Sequence, residues 1–261
     1  MREYGTGIIG GVNPKKAGTR HIGLPVWGSA VEAAGDVAID ATVLFIPPQG
    51  VKAAALDALA AGIRKLVILT EHVPVHDVMW VLAAAREAGA QVIGPNTAGI
   101  VTAGESFVGF MPASNPRIFR SGTVGVISRS GSLGTFVCLR LCQAGLGISH
   151  FIGIGGDPVK GTTTLDAVRI LDADEHTEAI AIVGEIGGSM EEAAAEYVST
   201  MTKPVAAFIA GAAAPEGRRM GHAGAIVVGG KGSFASKRRA LERAGVRVVP
   251  TPAGIPDALQ L

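Results

Sequence analysis

Short runs of β-branched and apolar residues alternate along this chain with Ala-rich stretches whose apolar positions recur at helical spacing. In the first half the apolar runs predict strands over Gly7–Val12, Ala41–Ile46, Leu66–Thr70 and Gln91–Ile93. The stretches between them predict helices over Ser29–Ala34, Val51–Ala61 and Val75–Ala88. The strands are apolar throughout instead of alternating, which is the pattern of a parallel sheet covered on both faces. Ser29 with Glu32 has capping-box spacing, and Gly35, Gly62 and Gly89 stand where helix C-termini take a left-handed residue. The segment Met111–Gly122, with Pro112 and Pro116, breaks the rhythm and reads as a connection between domains.

Beyond it the alternation resumes with strand Val124–Ser128, helix Ser132–Ala144, strand Ile148–Ile154, helix Thr163–Leu171 and strand Ala179–Val183. Helix Met190–Thr200, strand Val205–Ala210, helix Phe234–Ala244 and strand Val246–Val249 follow, and Ser189 with Glu192 repeats the capping-box spacing. The chain therefore reads as two successive α/β domains without a short-period repeat.

Charge narrows the functional classes. The 261 residues hold 23 Lys and Arg against 22 Asp and Glu, a net charge of +1, which gives no electrostatic reason for a nucleic-acid or anionic-membrane partner. Only 17% of residues are charged and mean hydropathy is +0.38, too apolar for disorder and suggestive of an interface with another subunit. No apolar run approaches the roughly 20 residues of a membrane span. The start of the chain lacks the basic, apolar and small-residue layout of a signal peptide. Cys138 and Cys142 share one helix face and read as small core residues; with no disulfide framework, a reducing cytoplasm is the expected compartment.

Glycines cluster just after the predicted strands of the second half, where parallel sheets place ligands. Four junctions stand out: Ser128–Ser132, Gly153–Pro158, Gly184–Gly188 and Gly221–Ala225. None has the dinucleotide fingerprint or the P-loop sequence, so neither a Rossmann dehydrogenase nor a P-loop nucleotide site is supported. Ser130-Gly131-Ser132 opens a helix, and such an N-terminus is either an anion site or an ordinary serine cap. His222 sits on a glycine-flanked loop followed by the Gly229–Ser233 run, and is either a mobile nucleophile towards phosphorus or a loop histidine without a ligand. Glu185 is the carboxylate best placed to hold its second ring nitrogen. His21, His72, His76, His150 and His176 read as surface or packing residues, and Asp157 as a turn residue or part of a site. Arg218, Arg219, Lys231, Lys237, Arg238 and Arg239 read mostly as a solvated face.

Together these motifs, with Gly10–Gly18, His21–Pro25, Thr70-Glu71 and Gly94–Asn96, resemble the α-subunit family of succinyl-CoA synthetase, the ADP- or GDP-forming succinate–CoA ligase. The motifs run in the same order along essentially the whole chain. The resemblance implies an α/β fold: an N-terminal Rossmann-like CoA-binding domain over 1–115, then a flavodoxin-like ligase domain over 116–261. It implies a partner β subunit with an ATP-grasp fold that holds ATP or GTP with Mg²⁺ and phosphorylates His222. The phosphoryl group then passes to a small carboxylic acid, and the CoA thiol captures the acyl phosphate. By the same resemblance Glu185 holds the histidine, and Ser130, Gly131 and Ser132 receive the phosphate. Lys16, Pro47, Thr70, Glu71 and Asn96 fall where the family contacts coenzyme A, and no metal is expected on this chain.

Two departures bear on function. The family begins with a strand and a glycine-rich loop around the CoA phosphates, upstream of the segment matching Tyr4–Val12. Without them the first strand of the Rossmann-like sheet is missing and weaker CoA binding is expected. Lys15, Thr97-Ala98 and Ser132-Leu133-Gly134 also differ from the family pattern, so the acid stays open among succinate, malate and citrate. The alternative is a non-catalytic relative with impaired CoA affinity and a binding or regulatory role.

Overall fold

The computed structural model describes residues 1–215, 217, 219–227 and 232–259. Its first strands, β1 (Gly11–Val12), β2 (Arg20–His21) and β3 (Leu24–Trp27), form a small sheet in which β3 is central, parallel to β1 and antiparallel to β2. The expected strand Gly7–Val12 is thus only two residues long, because of its residues only Gly11 and Val12 pair in register with β3.

There follow α1 (Ala30–Asp36), β4 (Thr42–Leu44), α2 (Pro48–Ala60), β5 (Lys65–Ile68), α3 (Val75–Glu87) and β6 (Gln91–Ile93). The strands β4, β5 and β6 make a parallel sheet in that order. Val51, Ala55 and Leu59 recur at a spacing of four on α2 and pack with Val78, Val81 and Ala85 of α3 against Leu66 and Ile68. Gly62 and Gly89 have φ of +83° and +65° just past α2 and α3, as their positions require. Gly35 instead lies inside α1, which runs on to Asp36 and ends where Val37 turns extended.

The chain then enters a second sheet earlier than the sequence pattern suggests. A hairpin of β7 (Gly99–Thr102) and β8 (Ser106–Gly109) precedes the proline-containing connection, yet β7 pairs antiparallel with β10 (Ile148–Gly153). The remaining elements are β9 (Ser121–Ser128), α4 (Gly131–Gln143), α5 (Thr164–Ala173), β11 (Ala179–Glu185), α6 (Met190–Val198), β12 (Val205–Ala210), α7 (Phe234–Arg243), β13 (Arg247–Val249) and α8 (Ile255–Leu259). The sheet order is β13-β12-β11-β9-β10-β7-β8, with the first five strands parallel. Counted along the chain, those five run 2-1-3-4-5, the flavodoxin-like order, which puts its topological switch point between β9 and β11.

Both faces of this sheet are covered, which explains its unbroken apolar strands. All of β11 is buried: Ala179, Ala181 and Val183 face one layer with Val124, Val126 and Phe151, while Ile180 and Ile182 face the other with Ile127 and Leu171. Cys138 and Cys142 are unpaired thiols buried on α4 against the first layer. Of the caps expected from sequence, Ser29 accepts from Glu32 N, but the Glu32 carboxylate takes Gly28 N at 2.7 Å and not the cap residue's own N–H. Ser189 makes no side-chain cap, and Glu192 turns instead to Ser236. The complete capping box is Thr163 with Asp166 at α5. No helix among the described residues is long and apolar enough to cross a membrane.

Candidate active site

The switch point between β9 and β11 splays the following loops apart and leaves a crevice at their carboxyl ends. Arg129 follows β9 there, and Glu185 ends β11. Arg129 Nη2 stands 2.9 Å from Glu185 Oε1, and the guanidinium also donates to the carbonyls of Glu185 and Gly187 at 3.2 and 2.9 Å. Both side chains are buried. Charges taken out of water persist only when paired this closely.

The other Glu185 oxygen, Oε2, lies 2.7 Å from His222 Nδ1. The carboxylate selects the tautomer in which Nδ1 carries the proton and donates, so the Nε2 lone pair is the ring's free nucleophile. The imidazole is more basic than usual: the Glu185 hydrogen bond raises its pKa, while burial and the charges of Arg129 and Lys160 pull the other way. The loop that carries His222 is held by a bond from Gly224 N to Gly156 O of 3.1 Å. Glycine is required at 156 by close approach, because a Cβ there would stand 2.7 Å from both Nδ1 and Cδ2 of the ring.

His222 also faces a cavity of about 1100 Å³. Gly131 and Ser132, at the N-terminus of α4, line it, as do Pro47, Thr70, Glu71 and Asn96 from the carboxyl ends of β4, β5 and β6. Ser130 is the N-cap of α4, its hydroxyl accepting from Leu133 N at 3.3 Å and lying 3.3 Å from Ser132 Oγ. Thr70 Oγ1 donates to Ile46 O at 2.7 Å and so joins two of the loops that form the wall. The Asn96 amide donates to Asp157 Oδ1 at 2.9 Å, which gives Asp157 a structural partner beyond a bare turn. One cavity thus gathers most of the residues singled out from the sequence. Glu185 and Ser130 are outside its lining but adjoin His222 and Gly131, and Lys16 is exposed at the end of a 3-10 turn, Pro14–Lys16, also outside the lining.

Several buried charged groups escaped the sequence reading. Arg129 was visible only as a member of Ser128–Ser132, although an arginine at the end of an apolar strand was the available signal. Lys237 is fully buried and paired with Glu191, so the solvated face holds for the exposed Arg219, Arg238 and Arg239 but not for it. The cause is Glu191 itself, buried on α6 between Lys237 and Arg129; burial opposes its charge, yet the two cations hold its pKa below the usual carboxylate range. Lys160 is buried as well, and its ammonium donates to Gly155 O. Arg218 and Gly229–Lys231 lie outside the described residues. Among those described, no group of three or more His, Cys, Asp or Glu side chains is arranged to hold a metal ion.

The site thus sets a histidine–carboxylate pair at the switch point of a flavodoxin-like sheet, opening on a cavity shared with a second parallel sheet. The family profile described as CoA-ligase matches residues 127–247, and that described as CoA binding domain matches residues 1–72. The chain is 46% identical over 260 residues to a succinate–CoA ligase [ADP-forming] subunit alpha of Methanothermobacter thermautotrophicus, covering 100% of this chain and 87% of the relative. It is 42% identical to an ADP-forming sulfoacetate-CoA ligase subunit of Acholeplasma sp, covering 100% and 88%. Among solved structures, ATP citrate lyase from Methanothrix soehngenii, in complex with citrate and coenzyme A, superposes with a TM-score of 0.89 at 28% identity; this chain spans 44% of that one. The chain belongs to the α-subunit family of the ADP-forming succinate–CoA ligases. It is an acid–thiol ligase subunit that uses CoA and works with a β subunit, and the non-catalytic reading falls away because the close relatives are themselves named ligase subunits.

Proposed function

We propose that this chain carries the phosphoryl group of the ligase reaction on Nε2 of His222 and hands it to a small acid with two anionic groups, succinate or sulfoacetate. The observation that carries this reading is the 2.7 Å contact of His222 Nδ1 with Glu185. It supports the following sequence. Nε2 attacks the γ-phosphorus of ATP or GTP, held with Mg²⁺ on a β subunit of ATP-grasp fold; the N–P bond forms as the P–O bond to the diphosphate breaks. The Nδ1 proton stays on the ring, and Glu185 offsets the positive charge that the ring gains. An oxygen of the acid then attacks phosphorus, the N–P bond breaks, and the imidazole returns neutral. Free N–H groups at the start of α4, near Ser130, Gly131 and Ser132, are suited to the phosphoryl oxygens.

We assign CoA to the unit within residues 1–115 and the phosphohistidine to residues 116–261, the β7–β8 hairpin being lent from one to the other. The cavity walls suit such a ligand: Phe45, Pro47, Pro48 and Leu69 are apolar, while Thr70, Glu71 and Asn96 supply polar atoms. When bound, CoA supplies the thiol that takes the acyl group and releases phosphate. Lys16, beyond the cavity, would contact a CoA phosphate.

The test reconstitutes the chain with its cognate β subunit and γ-labelled ATP or GTP. Label that is acid-labile and base-stable should appear on this chain, and His222→Asn should abolish it. Labelling that survives His222→Asn would remove the assigned role. A panel of succinate, sulfoacetate, malate and citrate with CoA then reads out the acid, and a preference for citrate or for a monocarboxylate would contradict the proposal.

A further inference from the structure

Among the described residues, six charged side chains are buried around the end of β11: the cations Arg129, Lys160 and Lys237, and the anions Asp157, Glu185 and Glu191. Three of the six are basic and three acidic, so their formal charges match in number. The cations differ in how firmly their charges are held. Arg129 pairs with Glu185 and Glu191, and Lys237 pairs with Glu191 and Glu192. Lys160 makes no ion pair among the described residues; its ammonium donates to the carbonyl of Gly155. That carbonyl belongs to the residue before Gly156, whose backbone lies against the His222 ring.

We propose that Lys160 is a positioning residue for the phosphoryl transfer: it fixes the Gly155-Gly156 turn that seats the His222 imidazole, and it places a positive charge beside the phosphoryl group there. This rests on the phosphohistidine reading above. The groups that face Lys160 come from five segments: Asp157 on its own loop, Arg129 after β9, Glu185 at the end of β11, Glu191 on α6 and His222 on the loop 221–225. Burial, then the charge of Arg129, lowers the Lys160 pKa to about 7, against the pull of Glu185, Glu191 and Asp157. Near neutral pH the Lys160 ammonium can therefore lose or regain its proton. A phosphoryl dianion on the neighbouring ring favours the charged form, and before transfer that charge holds the imidazole's basicity down.

Two variants separate charge from hydrogen bonding. Lys160→Gln keeps a donor for Gly155 O without the charge, and Lys160→Arg keeps both with a charge that is never lost. The first readout is the ¹⁵N NMR titration of the His222 ring in the full chain. Its midpoint should rise in Lys160→Gln by about 0.3–1 pH unit and fall in Lys160→Arg by a few tenths of a unit, roughly the effect of one neighbouring charge at partial burial. In the complex with the β subunit, the acid limb of His222 labelling should move in the same two directions. A merely structural lysine would change folding without opposite shifts. Midpoints within about 0.1 unit of wild type in both variants would overturn the proposal. Should Lys160→Gln fail to fold, a Lys160→Arg midpoint at or above wild type would overturn it alone. Absence of label on the wild-type complex would instead refute the phosphohistidine reading, and the titration would still decide the effect of Lys160 on the ring.

Discussion

The seat of the imidazole can be tested with a single methyl group. In Gly156→Ala the backbone need not change, since Gly156 is not among the glycines with left-handed φ, so the effect is steric. The added carbon would stand 2.7 Å from Nδ1 and Cδ2 of His222, whereas carbon and nitrogen in contact settle at about 3.5–4.0 Å. The ring must therefore retreat by about 1 Å. Because Nδ1 starts 2.7 Å from Glu185 Oε2, a retreat of that size stretches the contact beyond hydrogen-bond length. A displacement of about 1 Å at a reacting group costs on the order of 10²-fold in rate, or about 2.7 kcal/mol of barrier. The assay is the single-turnover rate of His222 labelling by the complex with γ-labelled nucleotide, with thermal melting as the control for folding. Labelling within about twofold of wild type, in a variant that melts normally, would refute the claim that Gly156 sets the ring's position.

Glu185→Gln removes the largest support for the raised basicity of His222, so the neutral ring persists to lower pH and the acid limb of labelling moves down. Its plateau should fall by about 10²-fold as the ring loses its charged partner, and a limb that moves up would contradict the assignment. Stability carries the complementary sign. A raised folded-state pKa contributes stability that is fully present below the unfolded value of about 6.5 and lost as pH rises through the folded value. The stability gap between wild type and His222→Asn in urea titrations should therefore be wider at about pH 5.5 than at about pH 8.5. Lys237→Met leaves the buried Glu191 carboxylate with only the longer contact to Arg129 and should cost about 3–5 kcal/mol, seen in calorimetry as a melting temperature about 6–20 °C lower.

The second sheet was legible because its strands are buried on both sides and its helices carry regular apolar faces. Residues 124–128 and 179–183 read as strands, and both lie within observed ones, β9 and β11. The β7–β8 hairpin was not legible: its strands are four residues long, glycine-flanked, and owe their place to pairing with β10, which lies some fifty residues on. The strand β3 was hidden by Pro25 in its middle. Within the site, His222 and Glu185 were visible because glycines flank them. Arg129, Lys160, Glu191 and Lys237 were not, since charged residues default to the surface and their burial depends on partners set by distant elements. Arg129 meets a carbonyl 56 residues away, and Lys237 its carboxylate 46 away. A short-range pattern carries no trace of such pairings.

The hairpin's loan also decides how the molecule would respond to being cut. Its strand β7 is laced to β10 through Thr102 with His150, Val101 with Phe151 and Ile100 with Ile152. A protease nick in the proline-containing stretch after it would leave both fragments clasped, and the cleaved protein should still migrate as one species under native conditions. Expressing residues 116–261 alone would strip that clasp and bare the flank of β10, a sticky ribbon inviting the next molecule to pair. Scission and truncation at the same peptide bond should thus yield a durable complex in one case and a precipitate in the other.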